Sequence, residues 1–167
     1  MERASGGAGP QYRRHRGKLE LVAAALEGEL AALPVAVADT GNLRDDLLAL
    51  AQQIATALTA RRARLFVGIV LAGRDNPVPL NLLAGELRRI GATGWGDIIA
   101  RTSERGEVAG SPVVPSVVAD LPFAYIVGRT LLDGQPPGKG DLEAMIDTMI
   151  LPALLSLDIR KRAISHT

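Results

Sequence analysis

Apolar residues recur along most of the chain at intervals of three and four, the spacing of one face of an α-helix. Leu19, Val22, Ala23, Leu26 and Leu30 mark a first helix over 18–33, which Pro34 ends. Leu43, Leu47, Leu50, Ala51, Ile54 and Leu58 mark a second over 43–58. Thr40, Gly41 and Asn42 offer N-caps for it, and Asp45 and Asp46 fall in its first turn, where the helix dipole favours acids. The run "LFVGIVLAG" fits a buried strand as well as a helix by periodicity. Its helical neighbours and the lack of a partner strand favour a helix over 63–72. A long helix follows over 79–105, with Leu80, Leu83, Leu87, Ile90, Trp95, Ile98 and Ile99 on its apolar side. Gly91, Gly94 and Gly96 weaken its middle by roughly 1 kcal/mol each relative to alanine, which predicts a bend or break. A helix over 115–133 contains Pro122 and is expected to kink. The last, over 141–155, aligns Leu142, Met145, Ile146, Met149, Ala153 and Leu154, and "DIRKRAISHT" trails it. No strand alternation and no internal repeat interrupts this pattern. The expected fold is all-α, a bundle of six to seven helices.

Composition narrows the picture. The 167 residues are 47% hydrophobic but only 3% aromatic, so the core must be built from Ala, Leu, Val and Ile. Such residues favour helices and fill the seams between them. No cysteine is present, which excludes disulfides and thiolate chemistry and fits a reducing cytoplasm. No apolar run reaches the ~18–20 residues of a membrane span, so no membrane partner is expected. The net charge of +1 conceals an asymmetry: residues 1–18 carry +4, residues 158–167 carry +2, and the body between them carries −5. Basic ends suggest a polyanion partner there, although solvated tails account for the same charges.

Signs of catalysis are absent. His15 and His166 stand at opposite ends, with no metal-ligand spacing and no acidic cluster beside them. "GQPPGKG" (134–140) lacks the spacing of a phosphate loop, and "GATGWG" (91–96) lacks the strand–turn–helix setting of a dinucleotide fingerprint. An enzyme is not expected, nor are a cofactor or a metal.

"YRRHRGKLELVAAALEGEL" (12–30) resembles the end of the DNA-binding domain in the tetracycline-repressor (TetR) family, where a recognition helix closes and a helix enters the ligand domain. The match lies at Tyr12, Arg13, Arg14, Lys18, Leu19, Leu21, Val22 and Leu26; His15 and Gly17 depart from the usual residues. "RDDLLALAQQIATAL", "IIARTSERGEV", "DLPFAYIVGRTLLDG" and "DLEAMIDTMILPAL" follow in the order of the family's ligand-binding and dimerisation domain, so the resemblance covers about 10–157.

The resemblance implies three segments: 1–17 as the remnant of a helix-turn-helix, 18–157 as the ligand-binding and dimerisation domain, and 158–167 as a polar tail. It places Tyr12, Arg13, Arg14 and Lys18 against the DNA backbone, where they supply position rather than base readout. Residues 1–10 leave no room for the two helices that precede a recognition helix, so this chain is expected to bind operator DNA weakly, and the intact protein to be a transcriptional regulator, read here as a repressor. A small, mostly apolar effector would lie among Phe66, Val70, Leu87, Trp95 and Phe123, for which ordinary core packing is the competing account. The last two helices would pair with their copies in a homodimeric four-helix bundle through Val118, Leu121, Tyr125, Gly128, Leu132, Met145, Met149 and Leu154, burying roughly 2,000 Å² or more. Closure of the monomer's own core is the competing account of those faces. A free-standing dimeric helical module that binds a ligand or protein, with no DNA role, is the alternative reading of the whole.

Overall fold

The computed structural model describes Gly28 and residues 39–74, 77–108 and 114–164. The helix expected over 18–33 lies outside them except for Gly28, which is helical. Every regular element among the described residues is helical, in the order α1 (Leu43–Ala57), α2 (Ala60–Ala72), α3 (Pro77–Glu104), α4 (Ser116–Asp133), α5 (Lys139–Met145), a π-helical turn (Ile146–Ile150) and α6 (Leu151–Ile164).

α1 is the centre of the bundle. It packs against α3, α4, α5 and the π turn. Leu43, Leu47, Leu50 and Ala51 are buried, and so is Leu48 on another side, so the helix is apolar around most of its girth, as a surrounded helix must be. Asn42 is its N-cap: its side-chain oxygen accepts from the Asp45 N–H at 2.9 Å.

The stretch that also fitted a strand is helical. α2 starts at its N-cap Thr59 and buries Ala63, Phe66 and Ile69 against α3 and α4. Its C-cap, Gly73, has no room for a side chain: a Cβ there would lie 2.8 Å from Leu80 Cδ2. This close approach lets the chain fold straight back into α3.

α3 runs unbroken from Pro77 to Glu104, through the three glycines expected to break it. Trp95, Ile98 and Ile99 are all buried, and that packing outweighs a glycine penalty of a few kcal/mol in all. α4 likewise continues through Pro122 and ends at Gly134, whose φ of 74° is the left-handed conformation glycine takes at a helix C-terminus.

The last rod differs from its expected form. It begins at Lys139, with the Asp141 carboxylate accepting from the Gly138 N–H at 3.1 Å. It widens into a π turn at Ile146–Ile150, where the Leu151 N–H reaches back five residues to Ile146 O. Pro152 follows at once; it lacks an N–H, and its ring crowds the carbonyl four residues earlier, which a wider turn relieves. The helix then continues to Ile164, into the residues expected to form a polar tail.

Candidate functional site

Three aromatic side chains of the expected effector region lie on α2, α3 and α4, and two of them meet. The Phe66 and Phe123 rings are tilted by 47° with centroids 5.7 Å apart. Trp95 is buried, and its indole N–H donates to the Ala119 carbonyl of α4 at 3.1 Å, so its polar handle is satisfied by the protein. Leu87 is half-buried and packs on the core. Val70 does not join it. It is 51% exposed, because it lies in the last turn of α2, which runs out past the core. Leu71 there, and Val78 and Leu82 where the chain returns, are exposed as well.

The expected dimer residues divide between two faces. On α4, Pro122, Ile126 and Thr130 face the core. The opposite side carries Val117, Leu121, Ala124, Gly128 and Leu131, spaced by four, three, four and three. That is a heptad seam, and Leu132 beside it is 81% exposed. Val118, Leu121, Tyr125 and Gly128 are only partly covered within the subunit. On the last rod, Met149 is 49% exposed, with Leu155 and Pro152 also exposed. Met145 and Leu154 are corrections. They join Leu142, Ile146 and Ile150 in the subunit's own core, which takes one side of the rod and leaves Ala144, Thr148, Pro152 and Leu155 outward. Tyr12, Arg13, Arg14 and Lys18 lie outside the described residues.

An ion cluster around the buried Asp46, which the sequence does not reveal, fastens the start of α1 to the end of α3. The side chain of Asp46 has no exposure at all. Its Oδ1 accepts from the Thr40 N–H at 2.8 Å and the Thr40 hydroxyl at 2.7 Å, and its Oδ2 from Arg105 Nη2 at 2.9 Å. Arg105 also donates to Asp39 at 2.7 Å and to Glu107, whose other oxygen accepts from the Leu43 N–H at 2.8 Å. Arg101 Nε stands 3.9 Å from Asp46, adding charge without a hydrogen bond. Burial pushes the Asp46 carboxyl up, but Thr40 and the Arg105 guanidinium together hold it below the usual carboxylate range. Glu107 and Asp46 hold Arg105 above the ordinary arginine value. On the surface, Arg44 grips Asp147 of the π turn with two bonds of 2.7 Å, which lowers the Asp147 carboxyl. Among the described residues, no group of three His, Cys, Asp or Glu side chains could hold a metal ion, and no helix is long and apolar enough to cross a membrane.

The architecture has a counterpart among known proteins. The family described as "Tetracyclin repressor-like, C-terminal domain" matches residues 37–149. Uncharacterized HTH-type transcriptional regulators of Mycobacterium bovis and Mycobacterium tuberculosis are each 32% identical over 146 residues, which is 86% of this chain and 69% of theirs. The DNA-binding transcriptional repressor TetR of Mycobacteroides abscessus is 28% identical over 140 residues, 84% of this chain and 73% of that one. No solved structure matches the chain. The chain belongs to the TetR family of transcriptional regulators. That family is regulatory rather than enzymatic.

Proposed function

We propose that this chain is the effector-sensing and dimerising body of a DNA-binding repressor. The observation that carries this reading is the outward seam of α4. Val117, Leu121, Ala124, Gly128 and Leu131 form a continuous apolar stripe on the side opposite the core. Val117 is 73% exposed and Leu131 38%, while Leu121 and Gly128 are only partly covered within the subunit. Small Ala124 and Gly128 at its centre let two helix backbones approach closely, and Met149 and Leu155 extend the apolar surface onto the last rod. A stripe of this kind is self-complementary about a two-fold axis.

The effector reading is supported by the Phe66–Phe123 ring contact, which joins α2 to α4, and by the Trp95 indole hydrogen bond, which joins α3 to α4. An apolar molecule entering among them would have to separate these helices. It shifts the DNA-binding equilibrium only by its difference in affinity for the two arrangements. Operator DNA is the partner in this reading, and the mycobacterial relative described as a DNA-binding repressor supports that role.

Light scattering tests the pairing. The chain is expected to be a dimer at micromolar concentration. Leu121→Glu and Leu132→Glu each bring two carboxylates together at the axis and should give monomers with unchanged helical circular dichroism. A wild-type monomer, or dimers that survive both substitutions, would contradict the reading.

A further inference from the structure

We propose that the α2–α3 hairpin carries a phosphate-binding surface, made by Arg61, Arg64, Arg88 and Arg89, through which the body of the protein lies against the backbone of duplex DNA. The choice of DNA as the polyanion rests on the regulator reading above; the surface itself rests on charge and geometry.

The charge is concentrated. Residues 60–90 hold six arginines and no lysine against two acids, a balance of +4, while the rest of 19–157 holds five cations against fourteen acids, a balance of −9. The hairpin is a positive island on a negative body. Arg61 lies eleven residues before the end of α2 at Ala72, and Arg88 lies eleven residues after the start of α3 at Pro77. At 1.5 Å of rise per residue, both stand about 17 Å from the turn. α2 packs on α3, so the two sets of arginines lie at matching distances along two helices in contact.

The four side chains face outward. Arg61 and Arg64, at i and i+3, are exposed on the side of α2 away from Ala63, Phe66 and Ile69, and Arg88 and Arg89 are exposed on α3. Glu86 pairs with Arg89. No ion pair among the described residues engages Arg61, Arg64 or Arg88. Moreover, Arg61, Arg62 and Arg64 stand in the opening turns of α2, which has no acid in its first turn. The helix dipole disfavours cations there, so these charges work against the helix that carries them. No ion pair with a described residue compensates Arg61 or Arg64. Arginine's planar fork matches a phosphate oxygen pair, and several forks on two neighbouring helices suit a repeating line of phosphates.

Fluorescence anisotropy of a labelled random-sequence duplex, titrated with the 167-residue chain between about 20 and 200 mM salt, tests the surface. Wild type is expected to bind at low salt. Replacing Arg61, Arg64 and Arg88 together by Gln should weaken binding roughly tenfold or more at low salt and reduce the log–log salt slope by about 2–3. Lys139→Gln, an exposed cation of α5, should leave the slope alone. The triple variant should melt no lower than wild type, since it removes cations from a helix start. Identical affinity and slope in wild type and triple variant would overturn the proposal. So would failure of wild type to bind the duplex at the lowest salt, or a triple variant that loses only binding to vesicles of anionic phospholipid. Because the duplex carries no operator, failure here leaves the repressor reading standing. A monomeric chain that shows the expected slopes would remove the dimer reading and keep this one.

Discussion

Asp46 shows how one side chain can be misjudged from its neighbours in sequence. With Asp45 it reads as an acid placed for the helix dipole, and Asp45 is indeed exposed. Asp46, however, falls between Leu43, Leu47 and Leu50 on the buried stripe of α1, and a carboxylate there must find a cation. That position is the signal the sequence does carry; the identity of the cation is not, because Arg105 is 59 residues away. Asp46→Asn should therefore lower the unfolding free energy by about 2 kcal/mol near neutral pH, since it removes the buried charged acceptor of the Thr40 and Arg105 hydrogen bonds. The pH dependence follows from the depressed carboxyl. Its stabilisation is fully present above the unfolded-state value of 3.8 and is lost as pH falls through the lower folded value. Urea titrations should show the gap between wild type and Asp46→Asn closing below about pH 4. A gap that stays constant from neutral pH to pH 3 would assign the loss to packing instead. Trp95 is easier to read: a buried indole needs an acceptor, and the Ala119 carbonyl supplies it.

Helices were legible where periodicity was long and the caps were strong. α1 begins at one of its expected caps and ends a residue short of its expected end. Asn42→Ala should cost about 1 kcal/mol, seen as a lower urea midpoint with an unchanged denaturant slope; no change would mean that the cap is redundant. The helical state of α2 followed from its surroundings rather than its own pattern. Two features escaped because local propensity was the wrong guide. The glycines of α3 are carried through by burial on either side. The final rod runs past its apolar pattern to Ile164, because continuing a helix already begun costs less than starting one. The π turn was not legible either, although Pro152 marks the strain it relieves. It also bears on the faces: the core took Met145 and Leu154, leaving Met149 outward.

For the whole molecule, the fold and the family were within reach of the sequence, since an all-α pattern and an ordered set of segments identify both. The division of the C-terminal helices between core and surface was not, because periodicity shows that a side is apolar but not what it meets. The proposed dimer rests on that division. A chain with no cysteine offers a direct test. A Cβ added at Gly128, in the middle of the seam, or at Gly68, on the outer side of α2, would meet no atom within 4 Å, so either position accepts a cysteine without strain. Under mild oxidation, Gly128→Cys should pass almost wholly into a disulfide-linked dimer at micromolar concentration while Gly68→Cys stays monomeric on a non-reducing gel. Equal, slow cross-linking at both positions, or cross-linking through Gly68→Cys alone, would contradict the account.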